Sequence, residues 1–124
     1  MTGRRIVMIE DSKAASTVLK EVLESEGHTV LLAGDGVAGL ALARREKPDL
    51  VLLDLLLPKL NGYDVCNALM RDNLTRHIPI LIISTLDKPE SIEKAKLCGA
   101  RNFMKKPYNL EDLLREINRL LPQK

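Results

Sequence analysis

Leu50-Val51-Leu52-Leu53-Asp54-Leu55-Leu56-Leu57-Pro58 is the stretch on which the fold turns. Its first four residues are apolar without alternation, the pattern of a strand covered on both faces in a parallel sheet. Asp54 follows at once, a carboxylate among so much apolar surface that pairing, metal binding or reactivity is implied. Val30-Leu31-Leu32-Ala33 and Ile80-Leu81-Ile82-Ile83, the latter started by Pro79, read the same way, as strands buried on both faces. Ile6-Val7-Met8-Ile9 supplies a first strand and Asn102-Phe103-Met104 a short fifth. Stretches of helical spacing lie between and after them. Residues 14–25 carry Ala15, Val18, Leu19, Val22 and Leu23 and end at Gly27. Asp35-Gly36 opens a helix holding Val37, Leu40, Ala41 and Leu42, which Pro48 stops. Asn61 is an N-cap with Asp64 at the reciprocal position. Pro89-Glu90 starts a fourth helix that Gly99 ends. Asn109 caps a fifth, in which Leu110, Leu113, Leu114, Ile117, Leu120 and Leu121 make one apolar stripe. Such strand–helix units over 124 residues predict one α/β doubly wound domain, residues 1–124, since right-handed crossovers leave few alternatives.

Composition narrows the function classes. With aromatics at 2% the core must be aliphatic. A net charge of +2 without a Lys/Arg-rich block gives no electrostatic footprint for nucleic acid, so direct DNA binding is not expected. Arg4-Arg5 and Arg44-Arg45 read as solvated surface. Cys66 and Cys98, far apart in sequence and outside any Cys-x-x-Cys spacing, read as reduced, semi-buried thiols. His28 and His77 lack metal-ligand spacing and read as surface loop residues. No secretory h-region and no transmembrane run is found, so a cytoplasmic protein without membrane association is expected.

Polar residues stand at four strand ends: Glu10-Asp11 after the first, Asp54 after the third, Ser84-Thr85 after the fourth and Lys105-Lys106-Pro107 after the fifth. In an open parallel sheet these ends converge on one side. Alone, Asp11 reads equally as the start of a helix, Ser84 as a cap and Lys106 as surface; their joint occurrence carries the inference. Carboxylates ~4 Å apart repel by about 4 kcal/mol per pair at an effective dielectric of 20, so such a cluster shares protons or holds a cation. Oxygen ligands without His or Cys suit Mg²⁺ rather than zinc. Ser84 and Lys106 then offer a hydroxyl and a point positive charge to a phosphoryl group.

Taken in order, Ile9-Glu10-Asp11, Leu53-Asp54-Leu55-Leu56-Leu57-Pro58 with Gly62, Pro79-Ile80 leading to Ser84, and Gly99-Ala100 leading to Phe103 and Lys106-Pro107 resemble a receiver domain of the response regulator family over the whole chain. The resemblance implies a flavodoxin-like (βα)5 three-layer sandwich with a five-stranded parallel sheet of order 2-1-3-4-5. It implies Asp54 as phospho-acceptor, and Mg²⁺ ligated by Asp11, Asp54 and the backbone carbonyl of Leu56, with Glu10 acting through a water. Ser84 would bond a phosphoryl oxygen after transfer. Lys106 would pair with Asp54 before phosphorylation and with the phosphoryl group after it, and Phe103 takes the place of the switch aromatic. The Lys106–Pro107 peptide is often cis in the family. Implied partners are a sensor histidine kinase or phosphotransfer protein and a downstream effector met by the face of the fourth helix, fifth strand and fifth helix. Charges there, Glu90, Glu93, Lys94, Lys96, Arg101, Glu111, Asp112, Arg115 and Arg119, would support a phosphorylation-dependent homodimer, or nothing. The chain would be a phospho-acceptor, not a turnover enzyme.

Departures from the common pattern carry expectations of their own. Glu10 replaces a more frequent Asp, Phe103 lacks a phenolic hydroxyl, and Thr85 stands where a smaller residue is common. Leu56 and Leu86 are both apolar and cannot orient an attacking water, which predicts slow autodephosphorylation. A phosphatase of the haloacid dehalogenase class would need a second acid where Leu56 stands, and a cap domain that this length does not hold. A phosphorylation-independent interaction module is disfavoured by the intact acid pair, Asp and Lys. After the last helix only Pro122-Gln123-Lys124 remain, so the chain is expected to act by docking onto a partner, or to be a receiver excised from a longer regulator.

Overall fold

Strands and helices alternate throughout the computed structural model, which describes residues 3–86 and 88–122. Among the described residues the order is β1 (Arg5–Ile9), α1 (Lys13–Ser25), β2 (Thr29–Ala33), α2 (Gly36–Glu46), β3 (Leu50–Leu53), α3 (Gly62–Arg71), β4 (Ile80–Ser84), α4 (Pro89–Leu97), β5 (Asn102–Lys105) and α5 (Leu110–Leu120). All neighbouring strand pairs are parallel, in the order β2-β1-β3-β4-β5 that the resemblance implies. Gln123 and Lys124, part of the chain end considered above, lie outside the described residues.

Side-chain alternation along the central strands builds two cores, one on each face of the sheet. Ile6, Met8, Leu50, Leu52, Leu81 and Ile83 turn toward α1 and α5, meeting Leu19, Leu23, Leu113 and Ile117. Val7, Ile9, Val51, Leu53, Ile80 and Ile82 turn the other way, toward Ala43, Val65, Leu69 and Ala95 of α2, α3 and α4. Fully burying one such aliphatic side chain contributes about 1.5–3 kcal/mol, so β3 and β4, buried at every position, anchor the domain.

Three readings need correction. β2 is buried on both faces only in part: Val30 joins one core and Ala33 the other, but Leu32 is exposed, because β2 is an edge strand. Leu110 does not join the α5 stripe; it lies exposed in the first turn while Leu113, Ile117 and Leu121 face the sheet. Asp64 does not close a capping box through the backbone. Its N–H donates to Asn61 Oδ1, but its carboxylate accepts from the Asn61 side-chain amide, each at 3.0 Å.

Other local readings hold, some with added partners. The N-caps Asp35 and Asn109 accept from Ala38 and Asp112 backbone N–H groups, and Gly27 and Gly99 adopt the positive φ that ends a helix. Pro48 follows Lys47, a lysine at φ 46°. The arginine pairs are at the surface but engaged: Arg5 with Glu46, Arg44 with Asp72 at 2.7 Å, and Arg4 with the Pro122 carbonyl at 2.6 Å. His77 is exposed, whereas His28 is half-buried, its Nδ1 accepting from the Arg4 N–H.

Candidate functional site

Backbone hydrogen bonds continue just past the strand ends and fix the functional loops to the sheet. Glu10 N–H donates to the Ala33 carbonyl and Asp54 N–H to the Ile9 carbonyl, both at 3.0 Å. Lys106 N–H donates to the Ser84 carbonyl at 2.9 Å. Glu10, Asp54, Ser84 and Lys106 are thus set by the strands rather than by flexible loops. Gly62 is confined differently: its N–H donates to the Leu55 carbonyl at 3.0 Å, and a methyl group there would run into the Asp54 carbonyl oxygen. Any other residue would push α3 off the loop that carries Asp54.

Glu10, Asp11 and Asp54 each offer a carboxylate oxygen, and these oxygens lie within 4.8 Å of one another. At that separation each charged pair repels by about 3 kcal/mol at an effective dielectric of 20, so the cluster needs a counter-charge. Lys106 supplies one, donating to Asp54 Oδ2 at 3.1 Å and to Glu10 Oε1. Leu56 N–H donates to Asp54 Oδ1 at 3.1 Å, so both oxygens of Asp54 are held. Asp54 is only 8% exposed, while Asp11 faces solvent just before the α1 N-cap Ser12. Burial raises the pKa of Glu10, and the hydrogen bond from Lys106 only partly offsets it. Burial pulls the Lys106 ammonium down, but the hydrogen bonds to Glu10 and Asp54 outweigh that and raise it. At neutral pH Lys106 is therefore a fixed cation. The donor set fits a hard divalent ion: oxygen only, convergent, and open to solvent through Asp11.

Ser84 is fully buried as the last residue of β4, and its Oγ accepts from the Leu86 N–H at 3.3 Å. Phe103 is half-buried and packs against the core on the α2–α4 side, as does Leu86. Leu56 stands 51% exposed. The Lys106–Pro107 peptide is cis. A cavity of about 450 Å³ opens beside the site, lined by Glu10, Asp54, Thr85 and Lys106 at its polar end and by Met8, Leu52 and other apolar residues.

Glu10 bonding directly to Lys106 is a feature that sequence reading missed. The signal was its extra methylene, which lets a carboxylate at the first strand end reach the ammonium. Cys66 and Cys98, distant in sequence, also meet: the Cys66 thiol donates to the Cys98 carbonyl at 3.4 Å. Burial pushes the Cys66 thiol up to about 12, so it stays protonated and inert.

Comparison with known proteins agrees with this geometry. Residues 6–118 match the family model of the response regulator receiver domain. The chain is 42% identical over 117 residues to the protein PilH of Pseudomonas aeruginosa, covering 94% of this chain and 97% of that one. It is 38% identical to the DNA-binding dual master transcriptional regulator RpaA of Synechocystis, covering 94% of this chain but only 48% of that longer protein. Among solved structures, the receiver domain of the sensor histidine kinase PA1611 from Pseudomonas aeruginosa superimposes with a TM-score of 0.88 at 28% identity, over 96% of this chain and 98% of that one. That structure holds a magnesium ion in its active-site cleft. With its sheet order, its acidic cluster and this family match over most of its length, the chain belongs to the response regulator receiver domain family.

Proposed function

We propose that residues 1–124 form one receiver domain that takes a phosphoryl group on Asp54, with Mg²⁺ held by Asp11, Asp54 and the Leu56 carbonyl and with Glu10 reaching it through a water. The observation that carries this reading is Asp54 itself: a nearly buried carboxylate held by Lys106 and the Leu56 N–H within a convergent acidic cluster. An Asp54 oxygen attacks phosphorus as the bond to the donor breaks, a P–N bond when the donor is a histidine of a sensor kinase or phosphotransfer protein. The imidazole leaves with the electron pair and keeps or regains its proton. Bound Mg²⁺ would supply charge neutralisation for the equatorial oxygens. Lys106 adds a second positive charge, already aimed at the carboxylate. The product bears about two negative charges where there was one, which draws the Ser84 hydroxyl toward the new oxygens. Phe103 lies on the same face of the sheet and can take the space that Ser84 vacates. The chain assists its own phosphorylation and slow dephosphorylation and turns over no separate substrate.

Incubation with acetyl phosphate tests this. One phosphoryl group per chain is expected by intact mass with Mg²⁺ present, and none after chelation; Mg²⁺-independent labelling would sink the reading.

The phosphorylated state should signal through α4, β5 and α5 to an effector protein. Arg115 pairs with Asp112 and Arg119 with Glu116 within α5, which leaves fewer charges there for a phosphorylation-dependent homodimer. The match to PilH over nearly the whole of both chains favours a stand-alone regulator; the match to about half of RpaA keeps open a receiver cut from a longer one. On this reading the chain works in the cytoplasm without binding DNA itself, and no described helix is long and apolar enough to cross a membrane.

Leu56 sets the lifetime of the phosphoryl group. Being apolar, it cannot orient a water toward phosphorus, and Leu86 is turned into the core. Leu56→Asn is expected to speed phosphoryl loss roughly ten-fold or more, on the scale of a positioned polar group in hydrolysis. An unchanged decay rate, followed by intact mass after donor removal, would refute the role.

A further inference from the structure

α3 starts directly under the loop that carries Asp54, and its next side chain reaches a different helix. Gly62 is pinned to Leu55 and abuts the Asp54 carbonyl. The Tyr63 hydroxyl donates to the Ser91 carbonyl in α4 at 3.4 Å, and Lys94 Nζ stands 4.4 Å from the centre of the Tyr63 ring. Three residues on, Cys66 donates to the carbonyl of Cys98 at the α4 C-cap. Four further on, Met70 packs at Gly99, where an added Cβ would lie 2.8 Å from its Cγ. Spacings of three and four put Tyr63, Cys66 and Met70 on one face of α3. That face follows α4 from its first turn to its end.

Otherwise α4 is held by β5 and by Ala95 in the core. It is nine residues long, its N-cap Lys88 provides no side-chain cap, Ala95 is its buried residue and Leu97 is exposed. A helix this short is not stable by itself. Each contact along the seam is also weak: a long hydroxyl bond, an exposed cation over a ring, and a thiol donor. Such contacts hold α4 in place yet let it go under a modest displacement.

We infer that Tyr63 is a positioning residue that carries a change at Asp54 through α3 to α4, by a route separate from Ser84 and Phe103. A shift of the Asp54–Leu55 backbone moves Gly62, which has no clearance, and Tyr63 is the adjacent residue. Phe103 has no hydroxyl to bond α4, whereas Tyr63 does. This inference rests on Asp54 being the phospho-acceptor.

The test uses the ¹⁵N-labelled chain with Mg²⁺ and beryllofluoride, which mimics a phosphoryl group on a carboxylate. In the wild type, amide shifts are expected both at Leu55–Gly62 and at Ser91–Cys98. Tyr63→Leu should keep the first set and shrink the second roughly two- to five-fold, the scale of one exposed cation–π contact with one weak hydrogen bond. Tyr63→Phe, which keeps the ring, and Lys94→Met, which leaves the core untouched, should give intermediate responses without lowering the melting temperature. A purely structural role would change stability and leave the α4 response intact. An α4 response of wild-type size in Tyr63→Leu and Lys94→Met, with the Leu55–Gly62 shifts present, overturns this inference alone. Silence at both sets in the wild type overturns the phospho-acceptor reading, and this inference with it.

Discussion

Asp54→Asn is expected to reduce labelling by acetyl phosphate to background. The substitution exchanges one carboxylate oxygen for an amide nitrogen of nearly the same shape, so the loss reports chemistry and not packing. An amide oxygen carries no full negative charge and cannot form an acyl phosphate by displacement. The fold should survive. Asn keeps an oxygen to accept the Leu56 N–H, and the change removes one charge from a cluster whose oxygens lie within 4.8 Å. Relief of that repulsion, about 3 kcal/mol per charged pair at an effective dielectric of 20, opposes the loss of the Lys106–Asp54 ion pair. The melting temperature should therefore stay close to that of the wild type. Intact mass after incubation with donor and Mg²⁺ is the measurement. A phosphoryl group still present on Asp54→Asn, at whatever residue, would count against the assignment.

Lys106→Met should slow phosphorylation of Asp54 by about 10²–10³-fold, the usual cost of removing one pre-aimed charge stabiliser in a partly dry site. Methionine keeps an unbranched apolar stem at the cavity that Lys106 lines, so the loss is again one of charge. Two consequences should separate this role from a structural one. Glu10 and Asp54 would lose their shared cation, so a divalent ion should bind more tightly as the remaining counter-charge. Lys106→Arg should not restore the rate, since a planar guanidinium cannot occupy the point between Glu10 and Asp54 that the ammonium fills. Rapid-quench rates with acetyl phosphate and calorimetric Mg²⁺ titration give the two readouts. A rate within two-fold of wild type in Lys106→Met would remove Lys106 from the chemistry.

The positions of β3 and β4 were legible because their runs are apolar on both faces, the pattern of strands in a doubly covered parallel sheet. The same rule held only in part at β2, where Val30 and Ala33 are buried on opposite faces. Val30, Leu31, Leu32 and Ala33 are as apolar as β3, but strand order puts them at the sheet edge, where Leu32 has no helix to cover it. Leu110 departs in a related way: the helical stripe was right, but its first residue stays exposed while Leu113 and Ile117 are buried. Cap positions were readable from Asp35, Asn61 and Asn109, since capping is local; the side-chain bond between Asn61 and Asp64 was not, because it depends on rotamers.

Sequence alone determined which residues meet at the site. Glu10, Asp11, Asp54 and Lys106 each follow a strand and meet, because parallel strands bring their carboxyl ends to one side whatever the details of packing; Ser84 ends β4 on that side. Tertiary structure decided how those groups are shared and what lies behind them. It gave Lys106 two carboxylates instead of one, buried Ser84 completely, and drew Tyr63, Cys66 and Met70 along α4. The reason is one of range. Strand ends are set by periodicity along the chain, whereas a side chain's partner is set by distances between elements far apart in sequence, fixed only once both cores have packed.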